Sequence, residues 1–251
     1  MRAAAQDFCS RFIRVGDCRS DRFIFDLPRH WWSRPYEYDW ASRFAASGDV
    51  ALDAACGVCH PLKFFLCKNC AQTHGCDMDE RILSDHAIRS EICEIFGEAA
   101  AAEFDDNYRG AVRYEKASLA RLPYANCQFD KIYCISVLEH LDDARNPPAS
   151  QGMAQRLKWL VRPPRGVLHT LREFRRVLKE DGLLLVTMDY PRVNLDYFQQ
   201  AIRQADFEFA GETDLQLPPD ALNLPEDGLF CFRAVLRPRV QKGHADGKKG
   251  W

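Results

Sequence analysis

Seven short apolar runs of five to eight residues recur between residues 50 and 236, with amphipathic stretches between them, and this alternation restricts the fold more than any other feature. They are "VALDA" (50–54), "THGCD" (73–77), "AVRYEKA" (111–117), "DKIYCIS" (130–136), "GLLLVTMD" (182–189), "FEFAG" (207–211) and "LFCFRAVL" (229–236). Helical periods fall at 60–70, 79–104, 167–179 and 194–205; in the third, Leu168, Leu171, Phe174, Val177 and Leu178 share one face. Strands separated by helices predict a βαβ succession, hence an α/β fold with a doubly wound, mostly parallel sheet. Residues 1–48 read as a helical, aromatic-rich N-terminal cap, with Pro35 and Gly48 as punctuation. Residues 49–236 form the main domain, interrupted at about 142–166 by an insertion bounded by the proline pairs at 147–148 and 163–164. The tail 237–251 has no apolar period and is expected to be disordered.

The chain is long enough, at 251 residues with 47% hydrophobic and 12% aromatic residues, to bury a sizeable core. A formal charge of −2 offers a nucleic-acid backbone no general basic field, so no nucleic-acid partner is expected. No apolar run reaches the length of a membrane span, and the charged N-terminal stretch does not resemble a secretory signal, which predicts a cytoplasmic protein without a membrane partner. Eleven cysteines, an odd number, lie mostly in apolar runs, where a thiol acts as a small hydrophobe rather than half of a disulfide.

Two CxxC pairs, Cys56/Cys59 and Cys67/Cys70, pose a choice between a zinc cluster and a cofactor loop. Four thiolates on one zinc ion must crowd to within about 2.3 Å of it. A helix over 60–70 would separate Cys59 from Cys67 by about 12 Å of axial rise, too far for one ion. A zinc ribbon therefore requires that segment not to be helical, and no metal is expected. In the other reading, Asp53 ends a buried strand, the small-residue turn "AACG" follows, and Asp77 ends the next strand, where a carboxylate can accept from both hydroxyls of a ribose. At the positions of a GxGxxG loop stand Ala55, Gly57 and His60, with Cys59 where a further glycine often sits. That loop would crowd a pyrophosphate but admits a cofactor without phosphates.

Four separated blocks are similar to the class I S-adenosylmethionine-dependent methyltransferases: "ALDAACGVC", "GCDMDERIL", "ASLARLPYANCQFDKIYCISVLEHLDD" and "LREFRRVLKEDGLLLVTMDYP". The resemblance runs from about residue 49 to 236. It implies a Rossmann-like, seven-stranded sheet with an antiparallel last strand, S-adenosyl-L-methionine as cofactor and S-adenosyl-L-homocysteine as product. Carried over by position, Asp53, Ala54, Ala55, Cys56 and Gly57 form the loop under the methionine end. Asp77 takes the ribose, Met78 lies against the adenine, and Ser118 and Leu119 stand where the family commonly places an acid facing the adenine amino group. Ser136 and Val137 lie below the reacting centre. Ala55, Cys59 and Ser118 depart from the family's usual residues.

The implied reaction carries a methyl group in line to an O, N or other nucleophile of a small-molecule or protein acceptor. Candidates for a general base are His140, Asp189 and Tyr190, all at the ends of strands facing the same crevice. The cluster Trp31, Trp32, Tyr36, Tyr38 and Trp40 around Arg34 suggests a lid, with Arg34 toward the cofactor carboxylate and Trp32, Tyr36 and Tyr38 toward the acceptor. A catalytically silent cofactor-binding or scaffold protein is the alternative from another class, followed by a zinc-dependent interaction module. A dehydrogenase fits worst, because the glycine pattern is wrong and no YxxxK follows the fourth strand. The acceptor and the oligomeric state are left open by the sequence.

Overall fold

All seven apolar runs become strands in the computed structural model, which describes residues 6–141 and 166–239. The described residues form one sheet from β1 (Arg11–Phe12), β2 (Val50–Ala54), β3 (Gln72–Asp77), β4 (Arg113–Lys116), β5 (Phe129–Ile135), β6 (Leu178–Tyr190), β7 (Phe207–Phe209), β8 (Asn223–Leu224) and β9 (Leu229–Pro238). Its order is β1-β9-β6-β5-β2-β3-β4, with β7 and β8 also pairing with β9. Strands β2 to β6 are mutually parallel, and β9 runs antiparallel to β6. Chain order reverses direction between β2 and β5, so the crevice at their carboxyl ends is the switch point where open α/β sheets bind ligands.

The sheet has nine strands rather than the expected seven because two-residue segments, β1 and β8, carry no readable alternation. They are recruited by the outer edge of β9: β8 meets Leu229 and Phe230, β1 meets Phe232 and Arg233, and β7 meets Leu236 to Pro238. The backbone groups of that edge are thereby paired.

Helices are α1 (Arg34–Ser42), α2 (Leu62–Asn69), α3 (Asp85–Phe96), α4 (Glu98–Asn107), α5 (Gly166–Val177) and α6 (Leu195–Gln204), with single 3-10 turns at Glu80–Leu83 and Leu138–His140. The helix expected over 79–104 is three pieces. Ser84 accepts a hydrogen bond from the Ala87 N–H and starts α3, and Gly97, at φ +89°, ends it and opens α4. Strand alternation distributes the rest. Ala51, Tyr133, Ile135, Leu185 and Val235 pack with Tyr38, Trp40 and Phe44, and with Leu62 and Leu66 of α2. Their neighbours Leu52, Ala54, Ile132, Cys134, Leu184, Val186 and Ala234 pack with Leu171 and Phe174 of α5 and Phe198 and Ile202 of α6.

The N-terminal segment departs from its expected helical reading. Within its described residues helix is confined to α1, while β1 joins the sheet and Phe12 enters the central core. The aromatic residues that suggested a helical cap instead serve as the packing layer of one sheet face. The expected insertion (142–166) and tail (237–251) fall outside the described residues except for Gly166, which opens α5, and 237–239, of which the first two continue β9. Among the described residues no helix is long and apolar enough to cross a membrane.

Candidate active site

The site begins with the turn that leaves β2. Ala55 and Gly57 both take left-handed conformations, at φ +58° and +57°. A Cβ on Gly57 would collide with the His60 ring, so this position requires glycine on two counts. Ala55 adopts the backbone form that a glycine would, at the cost of about 1–2 kcal/mol of strain. The departure from the family pattern therefore leaves the turn in place.

Three ties hold the turn. The Cys56 N–H donates to the Cys76 carbonyl at 3.0 Å, linking it to β3. The Gly57 N–H donates to Asp77 Oδ2 at 2.9 Å, while the Asp79 N–H donates to Asp77 Oδ1, also at 2.9 Å. Beneath, the fully buried Lys63 ammonium donates to the carbonyls of Cys56 (3.0 Å), Gly57 (2.9 Å) and His60 (2.7 Å), which satisfies all three of its hydrogens. The helix expected around residues 60–70 is present, and Cys56 and Cys59 are buried with Phe25, Val58 and Phe64 in an apolar cluster. Among the described residues no group of three or more His, Cys, Asp or Glu side chains is placed to hold a metal ion.

Three chambers open along the carboxyl edge of the sheet. The first, about 330 Å³, lies over the Gly57 turn and is lined by Asp53, Ala55, Cys56, Asp77, Ser136 and Val137 among others. The second, about 230 Å³, continues past Ala55, Asp77 and Val137 to Met78, Ser118 and Leu119. Met78 is 63% exposed, an uncovered apolar side chain beside Leu119. The third, about 170 Å³, shares Arg34, His60, Ser136 and His140 with the first and adds Trp31, Trp32, Glu139 and Asp189.

The wall between the first and third chambers is made by α1 and the segment before it. The Trp31 and His60 rings stack at 4.4 Å and 17°, and His60 Nδ1 shares a 2.9 Å hydrogen bond with the Tyr38 hydroxyl. Below them, Glu37 is fully buried and is paired with Arg34. It also accepts from Ser33 Oγ (3.1 Å) and Ser136 Oγ (2.6 Å). Ser136 stands at φ +49° at the end of β5, its N–H donating to the Thr187 carbonyl at 3.0 Å. A left-handed non-glycine residue in the site, fixed by Glu37 on one side and Thr187 on the other, is the kind of strain that surrounding structure must over-determine.

The residues singled out in the sequence divide accordingly. Asp53, Ala55, Cys56, Gly57, Asp77, Ser136, Val137, Arg34 and Tyr38 line the first chamber; Met78, Ser118 and Leu119 line the second; Trp32, His140 and Asp189 line the third. Ala54 points into the core instead. Tyr36 packs on Ile13, Leu222 and Cys231, and Tyr190 meets the Phe12 ring edge-on at 5.4 Å; neither lines a chamber. Lys63, Glu37 and Glu139 are site residues to which no sequence motif assigns a role. The available signal was charge inside an apolar run, Lys63 alone in "PLKFFL" and Glu37 with Asp39 among the aromatic residues of "PYEYDW", which periodicity alone treats as a solvated face.

Burial shifts several of these groups. Burial pushes Asp53 up to about 7, opposed by the Lys63 ammonium and aided by Asp77. It pushes Glu139 up to about 8, aided by Asp189 and Glu37. His60 is driven down to about 3 by burial and by Arg34 and Lys63, and His74 is lowered by burial. Between pH 5 and 6.5 these effects oppose one another. The folded chain holds protons on Asp53 and Glu139 that the unfolded chain has shed, while the unfolded chain holds protons on His60 and His74 that the folded chain lacks. Above pH 6.5 only the acids remain, so stability falls as pH rises toward their folded values; the raised thiols of Cys59 and Cys76, both near 12, extend the fall beyond pH 9. Thermal melts of the ligand-free protein are expected to be nearly level from pH 5 to 6.5 and to lose about 2–3 kcal/mol by pH 8.5. A midpoint that rises across the upper interval would contradict these assignments.

The family model described as a methyltransferase domain matches residues 52–186. The chain is similar in fold to the [4+2]-cyclase SpnF, with a TM-score of 0.55, 14% identity, and 92% of this chain and 87% of that chain covered. It is also similar to a TehB-like SAM-dependent methyltransferase from Corynebacterium glutamicum, with a TM-score of 0.47, 15% identity, and coverage of 81% and 87%. No curated protein matches the chain in sequence. The matched span takes in the Gly57 turn, Asp77, Ser136 and the strands that carry them, more than half of the molecule, and the chain belongs to the class I S-adenosylmethionine-dependent methyltransferases.

Proposed function

We propose that this methyltransferase acts on a small-molecule acceptor seated in the third chamber, with the cofactor laid through the first and second. The observation that carries the reading is the sharing of lining residues in a row: Ala55, Asp77 and Val137 join the second chamber to the first, and Arg34, His60, Ser136 and His140 join the first to the third.

The residues present fit the cofactor. Each Asp77 oxygen accepts one backbone N–H and keeps a lone pair for a ribose hydroxyl. Met78 and Leu119 offer apolar surface to an adenine, and Ser118 a neutral polar partner. Asp53 and the Ala55–Gly57 turn lie under the methionine end, with Ser136 and Val137 below the reacting centre. S-adenosylmethionine, when bound, supplies an electrophilic methyl group on a sulfonium. The protein's own task is then orientation, worth about 7–11 kcal/mol when two reactants are held in line. Arg34 lines both chambers but is engaged by Glu37, so we assign it to the wall between them rather than to the cofactor carboxylate alone.

A small molecule is favoured over a protein side chain because the third chamber is small and is framed by Trp31, Trp32 and His60. Cytoplasmic residence is favoured by eleven cysteines that are all unpaired. Calorimetry with S-adenosylmethionine and S-adenosylhomocysteine tests the cofactor assignment. Both are expected to bind the wild type, and Asp77→Ala is expected to lose about 2–4 kcal/mol of affinity, 30- to 1000-fold, through two lost charge-assisted hydrogen bonds. A loss below about threefold would remove Asp77 from the ribose.

A further inference from the structure

The third chamber contains one carboxyl that the described residues leave without a partner. Arg34 is paired with Glu37, and Arg192 lies 3.8 Å from Asp189. Glu139, on the 3-10 turn after β5, is 1% exposed and lines the chamber, yet neither of its carboxyl oxygens meets a hydrogen-bond partner on another described residue. Buried polar atoms without partners are rare and costly, so a ligand that supplies the missing donors would relieve the cost.

We propose that the third chamber binds a small amine as methyl acceptor, and that Glu139 is the catalytic residue that receives its N–H and takes its proton. The inference rests on the cofactor reading above and adds the acceptor class and the base.

An ammonium suits this chamber better than a hydroxyl does. It brings up to three donors for two unpartnered oxygens, a positive charge that can pair with Glu139 once it ionises, and a cation for the Trp31 and Trp32 rings in the chamber lining. Burial, aided by Asp189 at the end of β6 and Glu37 of α1 and opposed by Arg34, raises the Glu139 carboxyl to about 8, so it is largely protonated at pH 7 before a ligand enters. Arg192, in the turn after β6, and His140, on the same 3-10 turn as Glu139, also line the chamber. A neutral alcohol arriving there meets an acid, not a base, whereas an ammonium drives the carboxyl to ionise by its own charge.

The step then balances. Entry of the ammonium expels the Glu139 proton to solvent and forms the ion pair. Glu139 next accepts one ammonium proton, freeing the nitrogen lone pair. That pair forms the N–C bond as the C–S bond breaks toward sulfur, the sulfonium becoming a thioether. The product is a methylated ammonium that keeps the positive charge, and the proton on Glu139 passes to water.

The experiment titrates the full chain, loaded with S-adenosylhomocysteine, at pH 7 in two buffers of different ionisation enthalpy. The probes are two isosteric pairs, butylamine with butanol and 2-phenylethylamine with 2-phenylethanol. At least one amine is expected to bind about tenfold or more tightly than its alcohol, with release of close to one proton. Glu139→Gln is expected to keep its affinity for S-adenosylhomocysteine and to lose both the amine preference and the proton release. Asp189→Asn is expected to keep the amine preference and a proton release, the latter reduced because Asp189 helps hold the Glu139 carboxyl up. Equal binding of amine and alcohol, binding of neither amine, or proton release that persists in Glu139→Gln overturns the proposal. The wild-type arms decide alone if that variant does not fold, and failure of the wild type to bind S-adenosylhomocysteine would count against the cofactor reading instead.

Discussion

Lys63→Met is expected to destabilise the protein by about 3–5 kcal/mol, lowering the thermal midpoint by roughly 10 °C, and to abolish measurable binding of S-adenosylmethionine at concentrations that saturate the wild type. Methionine matches the length of the aliphatic stem but offers no donor. The carbonyls of Cys56, Gly57 and His60, which now converge on one ammonium, would repel one another across the space it leaves. Asp53, whose carboxyl is held down by the same ammonium, would also rise further. The Gly57 turn has few other means of holding its shape, because its left-handed residues gain nothing from regular secondary structure. A melt and a titration of the purified variant check the prediction. A variant that melts with the wild type would show that the ammonium is a bystander.

The second large effect concerns Glu37. Glu37→Ala is expected to cost about 3–5 kcal/mol, since it strands Arg34 as a buried charge and removes the acceptor that holds Ser136 Oγ. Burial raises the Glu37 carboxyl, but Arg34 and the hydroxyls of Ser136 and Thr187 more than reverse that and hold it below its ordinary value. Stability from this group is therefore present at neutral pH and is lost only as pH falls through its low folded value. Removing both charges together should behave differently. Arg34→Met combined with Glu37→Leu is expected to recover at least half of the stability lost in Glu37→Ala, because a buried ion pair contributes little beyond an apolar pair of similar volume. Methyl transfer should not recover with it, since Ser136 Oγ then lacks the acceptor that orients it. Melting curves for the single and double variants, with turnover measured alongside, separate the two contributions.

The strand succession, the Gly57 turn and Asp77 were legible in the sequence because each is written locally: an apolar run, small residues at a turn, an acid at a strand end. The direct Gly57 N–H to Asp77 hydrogen bond joins the two features whose spacing had suggested a cofactor site. What escaped notice depends on distant partners. Glu37 is one charge among aromatic residues, and its meaning comes from Ser136, ninety-nine positions away. Lys63 reads as the polar face of a short helix until the turn it supports is folded over it. Tyr36 and Tyr38 are two residues apart in one helix, yet one faces Leu222 and Cys231 and the other the first chamber; no composition argument distinguishes them. The two-residue strands β1 and β8 exist only because β9 offers them an edge.

That edge has a consequence for when the enzyme becomes competent. The segment that carries Trp31, Arg34 and Glu37 is bound to the last strand: Arg11 and Phe12 pair with Arg233 and Phe232, Ser10 Oγ accepts from the Val235 N–H, and Cys231 Sγ donates to Glu37. Contacts spanning from 194 to 225 residues form late, after most loop-closure entropy has been spent. A nascent chain still short of β9 lacks the strand to which β1 and the Glu37 carboxylate are tied, although Tyr38 and Trp40 also pack on Ala51, Tyr133 and Leu185. Because Arg34 and Tyr38 line the first chamber and Trp31 and Trp32 the third, both chambers reach their full lining only once the last strand is in place.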